Sequence, residues 1–300
     1  CLSPLAAMML WACSDQQAAD PGNDLAAAFE SASFPHEASD IAADPAVRYG
    51  VLDNGLRYAI LENDTPTGTA ALRMVFDVGS LAEEEDQRGL AHFIEHMAFN
   101  GTTHVPEGEM VALLERYGLA FGADTNAFTG REVVGYQLDL PSNSDQMLNV
   151  GLFLMRETAS ELTFDSDAID RERGVILGEE RYRNTPIRRF FNAYYTFLYP
   201  DTIITERDSI GTVEVIENAP AERLIAYYND YYTPERGMLV VVGDVDADMI
   251  EAKIRDGFDI SLEGLDVEHV SSFASWEQPT PAAPDPDIGT VADPQEPEFG

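Results

Sequence analysis

The stretch GLAHFIEHMAFNGT, residues 89–102, places two histidines and a glutamate within five residues of a chain that holds five histidines in 300. Together with the acidic run just before it (EEED, residues 83–86), it reads as an amphipathic helix with acids in its first turn, where negative charge is favourable. Residues four apart on a helix stack on one face, so His92 and His96 can present two imidazoles, one turn apart, to a single ion, with Glu95 beside them. Two neutral imidazoles suit zinc. A catalytic zinc needs a third protein ligand and an open position for water, and a carboxylate next to that water can act as its general base. The segment DRERGVILGEER, residues 170–181, offers Glu172 and Glu179, seven residues apart and on one helical face. Acids and arginines at that spacing also make a solvated, ion-paired face, as Glu180 would, and position alone does not choose between the two readings.

Working outward, VRYGVLDNGLRYAILEND (residues 47–64) has two strand-like runs around Asp53-Asn54-Gly55, a hairpin signal. TAALRMVFDVGS (69–80) is a further strand, and VVGYQLDLP (133–141) alternates Val134, Tyr136, Leu138 and Leu140 on one face until Pro141 stops it. Helices are expected over EGEMVALLERYG (107–118), closed by Gly118, and SDQMLNVGLFLMRETAS (144–160). DSDAIDRERGVILGEERYRN (165–184) reads as another, with Asp165 or Ser166 as N-cap. The helix APAERLIAYYNDYY (219–232) leads to the strand GMLVVVGDV (237–245) and a last helix, DADMIEAKIRDGF (246–258). Strands and helices mix without a regular βαβ alternation, so the expected class is α+β.

Fifty-four acidic against eighteen basic residues give a net charge of -36, which repels phosphate backbones and anionic headgroups and argues against nucleic acid as a partner. The two cysteines, Cys1 and Cys13, precede the expected fold, which excludes thiol catalysis within it. Residues 1–24 hold a short apolar run that turns abruptly polar and acidic, as in the h-region of an export signal, and the apolar run is too short to span a membrane. Within them Leu10-Trp11-Ala12-Cys13 resembles a bacterial lipobox, with Cys13 the lipidated residue. The expected organisation is an export signal and linker over 1–46, a domain over 47–262 and a Pro-rich acidic linker over 263–300.

The motifs GLAHFIEHMAFNGT, TNAFTG (125–130), DRERGVILGEE (170–180) and VVVGDVD (240–246), in that order, resemble the pitrilysin, insulinase and mitochondrial processing peptidase group, the inverted-motif zinc metallopeptidases of family M16. The resemblance runs from about Arg48 to Phe258. It implies a domain with a mainly antiparallel sheet packed by helices, one half of a two-half peptidase whose homologous second half lies downstream or on a separate chain. It implies one zinc per chain held by His92, His96 and Glu179, Glu95 as general base on the zinc-bound water, and Glu172 as a supporting acid of the site. Asn126 and Ala127 match the edge strand that binds substrate as an added strand; Val134 stands where a Thr is frequent. The expected activity is an exported zinc metalloendopeptidase acting on peptides or unfolded segments, at the periplasmic face of a bacterial membrane as a lipoprotein or soluble in the periplasm. The alternative is a non-catalytic structural or binding subunit of the same family.

Overall fold

The computed structural model describes residues 33–258 except 121 and 123. Cys1, Cys13, His269 and the Pro-rich stretch lie outside the described residues. The chain divides between Val47 and Arg48 into two units. The described part of the first carries a single 3-10 turn, Pro35–Ala38, which includes His36.

The second unit is built on a six-stranded sheet of order β1-β2-β6-β3-β5-β4, with β1 at Val47–Val51, β2 at Arg57–Glu62, β3 at Ala70–Phe76, β4 at Thr125–Thr129, β5 at Val134–Leu140 and β6 at Gly237–Gly243. The Asn54-Gly55 turn joins β1 to β2: Gly55 has φ 94° and the Asn54 side chain accepts the Leu56 N–H at 3.0 Å. β2 pairs with β6 in parallel, whereas β3 pairs antiparallel with both β6 and β5, and β5 antiparallel with β4. Period-2 alternation fixes this register. One row runs Ile60, Val241, Leu72, Leu138 across four strands, and every member is at most 1% exposed. A slip of one residue would turn the whole row to the opposite face.

Among the described residues there are eight α-helices: α1 Leu90–Met97, α2 Glu109–Arg116, α3 Asp145–Ser160, α4 Ser166–Arg183, α5 Pro186–Leu198, α6 Val213–Asn218, α7 Ala221–Tyr231 and α8 Ala247–Phe258. Helix α3 packs on β3 and β5 and α8 on β2, while α1 lies against β4, α4 and α7. The result is α+β, with one open mixed sheet and a helical layer. No helix among the described residues is long and apolar enough to cross a membrane.

The caps follow the sequence signals. Gly118, at φ 76°, ends α2 in a Schellman arrangement, with the Leu119 N–H on the Leu114 carbonyl and the Gly118 N–H on that of Glu115. Asp165 is the N-cap of α4 and accepts the N–H groups of Asp167 and Ala168.

Three features differ from the sequence reading. The acids before α1 are not its first turn: Glu85–Gln87 form a separate 3-10 turn, and Gly89, at φ 108°, breaks the chain before α1 begins at Leu90. Helices α5 and α6 were not expected. For α5 the signal exists, since Thr185-Pro186 is a start and Ile187, Phe190, Phe191, Tyr194, Tyr195 and Leu198 fall at helical spacing. No residue of α5 is buried, so its aromatic face is surface.

Replacing Asp165 by Ala leaves two N–H groups of α4 without their acceptor. Urea unfolding of the variant should show a loss of ~1 kcal/mol with unchanged slope.

Candidate metal centre

The centre joins α1 to α4. α1 carries His92, Glu95 and His96, and its apolar residues Leu90, Phe93, Ile94 and Met97 are fully buried, which fixes the roll of the helix and turns both imidazoles to one side. α4 crosses beside it with Ala168, Ile169 and Ile176 in the core, and Glu172 and Glu179 face the histidines.

One ligand atom each from His92, His96 and Glu179 lies within 4.8 Å of the others, the one group of three such donors among the described residues. Glu179 Oε2 is 3.6 Å from His92 Nε2 and 3.3 Å from His96 Nε2. Ligand atoms bound to a tetrahedral zinc at its usual bond lengths stand about 3.3 Å apart, so these residues fit the ion in type and in spacing. Glu179 Oε1 is occupied by Arg183 Nη2 at 2.5 Å, which leaves Oε2 for the imidazoles. Arg183 follows Glu179 at i+4 and is thus readable from spacing.

Glu172 does not reach the cluster centre. Its Oε1 lies 2.6 Å from His96 Nδ1 and its Oε2 accepts from Asn100 Nδ2 at 3.1 Å. A carboxylate at Nδ1 makes that nitrogen the donor and keeps the Nε2 lone pair toward Glu179. Asn100, four residues beyond His96, also donates to the His96 carbonyl at 2.9 Å and ties Glu172 to the end of α1.

Glu95 stands beside the cluster with Oε2 accepting from Thr129 Oγ1 at 2.6 Å. Thr129 ends β4, and nothing in the local sequence of either residue announces this contact. Burial raises the Glu95 pKa, against the lowering effect of the Thr129 bond. Burial, followed by the charge of His96, lowers His92 to about 3, so its imidazole is neutral at physiological pH. Burial also disfavours the cationic form of His96, but the hydrogen bond and charge of Glu172, with Glu95 and Glu179, outweigh it and leave its pKa raised.

Asn126 and Ala127 lie on β4, at the edge of the sheet. The Ala127 N–H bonds to the Asn126 side chain at 2.9 Å and not to β5, so it belongs to the outer side of the strand. Outside the centre, His104 lies in a loop where Nδ1 meets buried Glu157 at 2.9 Å; Thr102 satisfies the same carboxylate.

Fold and cluster together define an α+β domain with a helix-borne pair of histidines, a carboxylate from a second helix, and a further glutamate beside them. The chain belongs to peptidase family M16, the insulinase family. Residues 58–186 match the model of Insulinase (Peptidase family M16), and residues 218–286 that of the Peptidase M16 inactive domain. The chain is 36% identical over 207 residues to the probable zinc protease PqqL of Haemophilus influenzae, covering 69% of this chain and 22% of that protein. The Escherichia coli protein of the same name matches at the same identity and coverage. The crystal structure of the first half of the periplasmic protease PqqL from Escherichia coli superposes with TM-score 0.72 at 33% identity, covering 75% of this chain and 48% of that one. The chain thus spans about a fifth of the length of these curated relatives.

The raised pKa of His96 predicts a pH effect on the metal-free protein. The stabilising contribution of its protonated form is fully present below 6.5, the ordinary value, and is lost as pH rises through the raised value. Histidine NMR titration should show His96 above the ordinary value, and Glu172→Gln should lower it.

Proposed function

We propose that this chain is the zinc-holding part of an exported zinc metalloendopeptidase that hydrolyses bonds in peptides or unfolded protein segments. The observation that carries the reading is the convergence of His92 Nε2, His96 Nε2 and Glu179 Oε2, with Glu95 beside them and not needed as a ligand. His92, His96 and Glu179 would hold one zinc ion. Bound there, zinc supplies Lewis-acid polarisation of a carbonyl and acidification of water.

The protein groups do the rest. Glu95 accepts the proton of the attacking water and delivers it to the leaving amine; its raised pKa suits both directions. Thr129 holds Oε2 and leaves Oε1 for that proton. Glu172 fixes the His96 tautomer through Nδ1. Asn126 and Ala127 offer the outer edge of β4 to an extended substrate, which then binds as an added strand with its scissile bond near the cluster. β4 carries both this edge and Thr129, so one strand positions substrate and base together.

A homologous second half, downstream or on a separate chain, completes the substrate clamp in this reading, and the unit that holds the metal runs over about residues 47–262. The similarity to the periplasmic protease PqqL of Escherichia coli supports the periplasm as the compartment. Cys13 as a lipid anchor to the membrane extends that placement.

Glu95→Gln should keep zinc and lose peptidase activity by about a hundredfold or more, measured on the protein with both halves by metal analysis and hydrolysis of a quenched-fluorescent peptide. Near wild-type turnover with zinc in place would remove Glu95 as the base. Dialysis should strip zinc from Glu179→Gln more readily than from Glu172→Gln or Glu180→Gln; equal retention in all three would remove Glu179 from the ligand set.

A further inference from the structure

Beneath the N-terminus of α1 lies a buried acid that the proposed reaction does not use. Glu83 is 3% exposed, and its two carboxylate oxygens accept the N–H groups of Gly89 at 2.9 Å and Ala91 at 3.0 Å. Gly89 is the N-cap of α1 and has no side chain to offer, so Glu83 supplies the cap from six residues upstream. Ala91 immediately precedes His92. The acids of this run therefore do serve the helix N-terminus, but through one folded-back side chain.

The surroundings make this contact rigid. The Arg207 Nε donates to the Glu83 carbonyl at 3.0 Å, and its Nη2 donates to Glu85 at 2.7 Å. Ser80 Oγ donates to the Arg207 carbonyl at 2.9 Å, and the Arg88 carbonyl accepts from the Thr212 N–H at 3.2 Å. Gly211, at φ 78°, abuts Gly89 so closely that a Cβ on it would lie 2.3 Å from the Gly89 Cα. The loop carrying residues 207–212 thus clamps the turn that carries Glu83 to the start of α1.

Burial raises the Glu83 pKa to about 7, with the Ala91 and Gly89 N–H groups and then Arg207 and Arg88 acting in the other direction. A raised carboxylate favours folding below its unfolded value and loses that contribution as pH rises through the folded one. The ionised form is thus a burden on the fold near neutrality. Both carboxylate oxygens are nonetheless aimed at the first turn of the helix that carries His92, Glu95 and His96.

We propose that Glu83 is a positioning residue of the metal centre, acting through the Gly89 and Ala91 N–H groups to set the first turn of α1 and hence the placement of His92. The inference rests on the reading of His92, His96 and Glu179 as a metal site only for its consequence; the contact itself is independent of metal. Outer partners of metal ligands typically contribute ten- to a hundredfold to affinity.

The test uses Glu83→Gln and Glu83→Asp in the full chain. Gln keeps the length and loses one acceptor; Asp keeps the charge and loses the reach. In the metal-free protein, amide hydrogen exchange at Gly89 and Ala91 should speed up in both variants, while exchange in β3 and β6 stays as in the wild type. In parallel, zinc affinity by chelator competition should fall about tenfold, and the visible absorption of bound Co2+ should shift, a change that loss of stability alone does not produce. Unchanged exchange at the two amides, or unchanged zinc affinity and Co2+ spectrum in folded variants, overturns the proposal. So does failure of both variants to fold, which would make Glu83 a determinant of the fold. A wild-type chain that binds no zinc while the exchange result holds would instead overturn the metal reading and leave the capping contact standing.

Discussion

The packing of α4 against α1 is the constraint on which the rest of the structure depends. α1 alone can aim two imidazoles in one direction, but it has no third donor and nothing to fix a tautomer. α4 supplies both from one face, Glu179 at the cluster and Glu172 at His96 Nδ1, because seven residues are nearly two helical turns. Buried residues anchor both helices, Phe93 on α1, with Arg173 of α4 over its ring, and Ile169 and Ile176 on α4. Burial contributes most of the energy and the polar pairs select the geometry.

The same burial governs the electrostatics of the centre. A net charge of -36 would make any ordinary surface histidine easier to protonate, yet His92 is held neutral because desolvation outweighs the acidic background. His96 is also penalised by burial, but the hydrogen bond and charge of Glu172, with the charges of Glu95 and Glu179, reverse the direction of its shift. Two histidines one turn apart thus have distinct electrostatic environments. Arg183 and Asn100 complete the arrangement by occupying the carboxylate oxygens that do not face an imidazole.

The sheet edge and the helix layer meet at β4. Its Thr129 holds the glutamate beside the cluster, and its outer edge carries Ala127, so the position of a chain laid along that edge and the position of Glu95 are set by one strand. Helix α5 departs from the general pattern of the domain. Its apolar residues repeat at the spacing of a core-facing helix but are exposed, and they stack on one another as Phe190 with Tyr194 and Tyr195 with Tyr199. Its start is tied to the fold by Arg188, which pairs with Asp208 at 2.7 Å.

The sequence by itself determined the parts that depend on periodicity and local chemistry. The alternation of Val134, Tyr136, Leu138 and Leu140, the Asn54-Gly55 turn and the Gly118 stop are all short-range and appear in the structure as read, and of the two candidate N-caps, Asp165 and Ser166, the structure has Asp165. His92, Glu95 and His96 share a helix, so their grouping was legible too. For Glu172 and Glu179 spacing gave a common face but not which helix that face would meet; family resemblance gave the expectation, and only the packing of α4 on α1 brought them to the histidines. Tertiary structure alone decided the Thr129 bond to Glu95 and the return of Glu83 to the α1 N-terminus. Each joins groups whose sequence neighbourhoods say nothing of one another, because such contacts depend on the paths of intervening chain and on burial, which have no period to read.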